Sequence, residues 1–65
     1  MRFTRIDDYA SRAGEFTICR VFVGGKERFV AWKGKEMLGW VEAGENRREA
    51  WKQAIAICEK ESSRI

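Results

Sequence analysis

Two consecutive glycines, Gly24 and Gly25, separate two runs of β-forming residues, and this junction constrains the chain more than any other feature. Glu15 to Val23 and Lys26 to Lys33 are both rich in β-branched and aromatic side chains. A Gly-Gly pair supplies the positive φ values that a two-residue hairpin turn requires. An antiparallel pair with Val23 facing Lys26 is therefore expected. A third run, Glu36 to Glu42, lies beyond Gly34-Lys35, again a two-residue separation. The chain contains no proline, so nothing interrupts the hydrogen-bond ladders.

From Asn46 the hydrophobic period changes from two to about 3.6. Trp51, Ala54, Ile55 and Cys58 fall on one side of a helical wheel, with Arg47, Arg48, Lys52, Glu59 and Lys60 elsewhere. Asn46 can accept a hydrogen bond from the first turn, and Glu49 stands at the capping-box position. The expected fold class is α+β: a three-stranded antiparallel β-meander with one C-terminal α-helix packed on one face, in the order βββα. Residues 1–65 then form a single domain. Its parts are an N-terminal arm over residues 1–14, the sheet over 15–42 and the helix over 46–61. The arm carries Phe3, Ile6 and Tyr9 and is placed against the sheet without an assigned structure.

Turn positions fix the register, and the register sorts the side chains. Residues facing one another across the first hairpin sum to 49, and across the second to 69. One face then carries Phe16, Ile18, Phe22, Phe29, Ala31, Leu38 and Trp40, with Arg20 at the edge, and this face should receive the helix. Its core is expected from Phe16, Ile18, Phe22, Phe29, Leu38, Trp40, Trp51 and Ile55, with Trp40 and Trp51 packed together between sheet and helix. The opposite face carries Thr17, Cys19, Val21, Val23, Lys26, Arg28, Val30, Trp32, Met37, Gly39 and Val41. A one-residue slip in either hairpin would exchange the two sets.

That second face is too apolar in its centre for open water, yet one helix can cover only one side of a sheet. Three coverings are open: the N-terminal arm, a second copy of the chain, or a separate partner. Size sharpens the point. A 7.6 kDa chain is expected to fold to about 4,300 Å² of accessible surface, burying only roughly 60% of what it exposes unfolded.

Composition excludes several classes. With two cysteines and no histidine, neither a four-ligand zinc site nor a disulfide framework can be built, so no metal or other cofactor is expected. The cysteine usage fits a reducing, cytoplasmic compartment. The longest purely apolar run, Ala54 to Cys58, is far too short to cross a membrane. Without histidine the usual general base near neutral pH is missing, and no catalytic residues are assigned. Cys19 and Cys58 read as small packing residues. Asp7-Asp8 reads as a solvated or turn pair, and Gly24-Gly25-Lys26 as a hairpin turn with no phosphate-loop pattern behind it.

Charge is divided unevenly along the chain. Residues 1–35 hold eight basic side chains (Arg2, Arg5, Arg12, Arg20, Lys26, Arg28, Lys33, Lys35) against four acidic ones (Asp7, Asp8, Glu15, Glu27), while residues 36–65 are slightly acidic. Such charge either is scattered surface charge that keeps a small protein soluble or, if the first half forms one surface, favours a polyanionic partner.

Three strands followed by a helix, with Leu38-Gly39-Trp40-Val41 on the last strand and Ala50 and Ala54 spaced along the helix, resemble a known arrangement. It is similar to the DNA-binding domain of plant ethylene-response factors and to the arm-site-binding domain of phage tyrosine integrases, over roughly Glu15 to Glu59. The resemblance implies a sheet face laid in the DNA major groove with Arg and Trp side chains reading it. The small size and basic character also look similar to short accessory proteins of phages and prophages, that is, to a viral protein. The expected function is thus a non-enzymatic binding module that meets DNA or a nucleoprotein through Lys26, Arg28, Val30, Trp32, Lys35 and Met37. The alternative is a protein–protein inhibitor or adaptor, or a homodimer, that buries the same face around Trp32 and Met37.

Overall fold

The Gly24-Gly25 junction forms the hairpin that the sequence requires. Both glycines have positive φ, 59° and 79°, the backbone of a turn whose twist matches the flanking strands. From Val23↔Lys26 to Phe16↔Lys33 the pairing keeps the expected register. The computed structural model describes residues 2–63. Its elements are β1 (Thr4–Asp7), β2 (Ala10–Ala13), β3 (Phe16–Val23), β4 (Lys26–Lys33), β5 (Glu36–Glu42) and α1 (Arg47–Ser62).

The sheet has five antiparallel strands in the order β1-β2-β3-β4-β5, which corrects the expected three-stranded meander. The segment expected as an arm supplies the extra two strands, except for Met1, which lies outside the described residues. Ala10 to Ala13 pairs with Cys19 to Phe16, and Thr4 and Arg5 pair with Arg12 and Ser11. The β2–β3 connection is again two residues, with Gly14 at φ 60°. Between β1 and β2 the turn has no positive φ. Instead Asp7 Oδ1 accepts a hydrogen bond from the Tyr9 N–H at 2.7 Å, and a register irregularity between Arg5 and Asp7 absorbs the misfit. The arm therefore widens the sheet and does not cover its second face.

A second correction concerns β5. Its pairing starts in the expected register, Lys33↔Glu36 and Trp32↔Met37, then shifts by one residue so that Ala31 faces Gly39, Val30 faces Trp40 and Phe29 faces Val41. The extra residue is a β-bulge at Leu38, and beyond it every side chain changes face. Gly39 and Val41 turn toward the helix, and Trp40 turns away from it. The expected Trp40–Trp51 contact is replaced by Trp51 against Phe29 and Phe3, edge to face, at ring-centroid distances of 5.5 and 6.0 Å.

The reason lies in the helix. Ala50, Ala54 and Cys58 recur every four residues on its inner side and are fully or almost fully buried, and they meet Phe16, Ile18, Phe29 and Ala31 on the sheet. Small residues let the helix approach closely. At Gly39 the space where a Cβ would stand lies 3.5 Å from the Ile57 Cδ1 atom. A helix held this near accommodates Val41 beside Phe29, and the indole of Trp40 goes to the other side. Asn46 caps the helix, its Oδ1 accepting the Glu49 N–H at 3.1 Å as expected.

The helix packs mainly on β4 and β5 and reaches β3 less. Phe22, expected in the core, is consequently 59% exposed. The chain exposes 4888 Å² in all, about 600 Å² more than the size relation gives, as befits a sheet covered on one side only.

Candidate functional site

Strand pairing arranges the uncovered face in four rows. The first runs Arg12–Thr17–Trp32–Met37, the second Ala10–Cys19–Val30–Trp40, the third Val21–Arg28–Glu42, and the last is Val23–Lys26. Five of the six residues singled out in the sequence, Lys26, Arg28, Val30, Trp32 and Met37, share this face. Lys35 sits in the β4–β5 turn at its rim, a strand's length of about 25 Å from Lys26. Met37 is 53% exposed and Trp40 is 49% exposed, while Val21, Val30 and Trp32 are half-buried by their neighbours alone.

Trp40 is the residue that sequence reasoning missed, and it changes the chemistry of the face. The Arg28 guanidinium lies over its indole ring with the central carbon 4.2 Å from the ring centroid, a cation–π stack. Arg28 Nε is buried against the ring without a hydrogen-bond partner. No carboxylate pairs with Arg28, Arg12 or Lys35 among the described residues, whereas Lys26 Nζ stands 3.5 Å from Glu42 Oε1. The Arg12 Nε–H donates to the Gly14 carbonyl at 3.2 Å. One signal for the bulge was available: a lone glycine within a strand, here Gly39, often marks such an irregularity.

The basic surplus of the first half is shared between both faces. Arg12, Lys26 and Arg28 lie on the open side; Arg5, Arg20 and Lys33 lie on the helix side. Arg20 and Arg47 both engage Glu27, at 3.5 and 2.7 Å, so that one largely buried carboxylate joins β3, β4 and the start of the helix. The Arg20 guanidinium also lies over the rings of Tyr9 (5.0 Å) and Phe22 (5.6 Å). Next to this network a groove of about 600 Å³ opens between the β1–β2 hairpin and the helix, lined by Arg5, Ser11, Arg20, Arg48 and Trp51 among others. Most of its cations are already matched inside the fold, Arg5 by Asp8 at 2.6 Å and Arg20 and Arg47 by Glu27.

Both thiols are held in the protonated form. Burial raises the Cys58 pKa above its ordinary value, with the charge of Glu59 adding to it, and burial followed by the charge of Asp7 does the same at Cys19. The two lie on opposite sides of the sheet, Cys19 in the second row of the open face and Cys58 under the helix, and act as packing groups. Among the described residues no cluster of His, Cys, Asp or Glu has the grouping of a metal site, and no helix is long and apolar enough to cross a membrane.

Comparison of the chain with protein-family models, curated proteins and solved structures gave no match.

Proposed function

We propose that this chain is a nucleic-acid-binding module whose contact surface is the open face of the sheet, and that it acts by binding and not by catalysis. The observation that carries this reading is the Arg28–Trp40 stack at 4.2 Å, a cation without a carboxylate partner among the described residues, held against a half-exposed indole on the β5 edge of the open sheet face. Cations meet phosphates, and planar side chains meet bases. Around the stack, Lys26 and Arg12 lie on the same face and Lys35 on its rim, while Trp32, Val30 and Met37 supply the apolar centre.

Magnitude follows from the charge. Four phosphate contacts give an affinity that falls with salt at a log–log slope of about −3 to −4, in the weak micromolar-or-poorer range at physiological salt. A fluorescence titration with nucleic acid at low and at physiological salt tests the reading. Binding with that slope, lost in Arg28→Glu and weakened in Trp32→Ala, is the expected result. Failure to bind at low salt overturns it.

The adaptor or homodimer reading draws on the apolar centre, Val21, Val30 and Met37. A two-fold dimer through this face, however, would gather Arg12, Lys26 and Arg28 of both copies into one interface, which opposes association. Sedimentation of the free chain as a dimer would favour that alternative.

A further inference from the structure

We infer that the open face takes single-stranded nucleic acid in preference to duplex DNA. The inference rests on the proposed nucleic-acid reading and names its substrate class.

Width is the first argument. Five strands at about 4.8 Å spacing make a sheet about 19 Å across, whereas the major groove of B-DNA is about 12 Å wide. A three-stranded sheet of about 10 Å would enter such a groove; β1 and β2 pair beside Phe16 to Cys19, so the two rows that carry Trp32 and Trp40 are five strands wide and no longer do. A flexible single strand has no such limit, because it follows the surface that it meets.

The second argument is the position of the aromatic groups. The bulge at Leu38 places Trp40 on the same face as Trp32, on neighbouring strands and in consecutive rows, as diagonal cross-strand neighbours. Two flat apolar groups at that spacing can each take a base. In a duplex the base faces are already stacked on one another and only the edges are offered, so a pair of indoles finds no matching surface. Arg28 against one side of the Trp40 ring fixes the plane of the platform and adds a cation beside it. Lys26 at one end of β4 and Lys35 in the turn beyond the other mark a path for the phosphate backbone along the strand, with Arg12 to one side.

The test compares three probes at low salt by tryptophan fluorescence: oligo-dT of twelve nucleotides, oligo-U of the same length, and a mixed-sequence duplex of twelve base pairs. At least one of the single strands should bind ten-fold or more tightly than the duplex and quench the emission. Trp40→Ala and Trp32→Ala should each weaken single-strand binding by about 5- to 100-fold, with Trp40→Phe retaining most of the affinity. Far-UV circular dichroism and the urea midpoint of each variant show whether it remains folded, and Trp40→Phe serves as the variant that keeps the packing. Equal or tighter binding of the duplex, or single-strand affinity unchanged in folded Trp32→Ala and Trp40→Ala variants, overturns the inference and leaves the nucleic-acid reading standing. No binding of any probe removes both.

Discussion

The two faces of the sheet are built from neighbouring residues of the same strands and have opposite character. On the helix side, Phe16, Ile18, Phe29 and Ala31 are buried beneath Ala50, Ala54 and Cys58. On the open side, Val30 and Trp32 shield one another only in part, and Trp40 and Met37 are about half exposed. The difference shows where a small domain keeps its stability. A close-packed helix with small inner residues makes a thin but well-filled core, and side chains that do not fit beneath it are left on the other face, free for a partner. On the proposed reading stability and recognition lie on opposite sides of one sheet, and substitutions on the two sides should have opposite signatures.

The largest contrast lies between Ile18 and Trp40. Ile18 is 1% exposed, so Ile18→Ala removes a buried side chain at a cost of about 2–5 kcal/mol. A domain of this size has only about 3–10 kcal/mol in total. Urea denaturation should find this variant largely unfolded or nearly so. Trp40→Ala should lower stability by about 1 kcal/mol or less in the same measurement, most of it the lost Arg28 stack. Equal losses from both variants would break the division between the faces.

Next comes the ion-pair network. Glu27→Gln releases Arg20 and Arg47 and should cost about 1 kcal/mol, a loss that shrinks as salt is raised because the Arg47 side chain is 60% exposed. A loss that salt leaves unchanged would mean that Glu27 acts by packing and not by charge.

The buried thiol of Cys58 gives a pH signature on the covered side. Burial raises the Cys58 pKa in the folded chain above its ordinary value of 9.0. The unfolded chain therefore releases the proton first, so this contribution to stability is complete below about pH 9 and is lost as pH rises toward the folded-state pKa. Urea midpoints between pH 7.5 and 10 should fall in the parent chain. The fall should be smaller in Cys58→Ala, and Cys19→Ala should remove a further part, since the shift at Cys19 has the same sign. The smallest effect is expected at Gly39→Ala. The added methyl would stand 3.5 Å from Ile57 Cδ1, an ordinary contact, and stability should change by about 0.5 kcal/mol or less.

The sequence made the centre of the fold legible and its margins not. The two glycine-marked hairpins, the β-branched runs of β3 to β5 and the Asn46-capped helix carry strong local signals, and they form where these signals place them. β1 and β2 carry weak ones. Thr4-Arg5-Ile6-Asp7 and Ala10-Ser11-Arg12-Ala13 are only four residues each, the second without a β-branched or aromatic side chain, and they are strands because β3 offers an edge to β2 and β2 in turn to β1. The bulge at Leu38 was hidden for a similar reason. Alternation alone put Trp40 under the helix, and only the closeness of that helix, set by Ala50 and Ala54, sends it to the open face. Lys26, Arg28, Val30, Trp32 and Met37 could be grouped because they lie before the bulge. Trp40 could not, because it lies after it.

Three tryptophans report on the two faces separately. The most direct measurement is a heteronuclear NMR titration of the labelled protein with oligo-dT, following the indole N–H signals of Trp32, Trp40 and Trp51 together with the Arg28 side chain. Trp32, Trp40 and Arg28 should shift on binding while Trp51, packed between Phe29 and Phe3, stays in place. Shifts at Trp51, Arg47 and Arg48 with Trp32 and Trp40 unmoved would locate binding in the groove on the helix side and contradict the account.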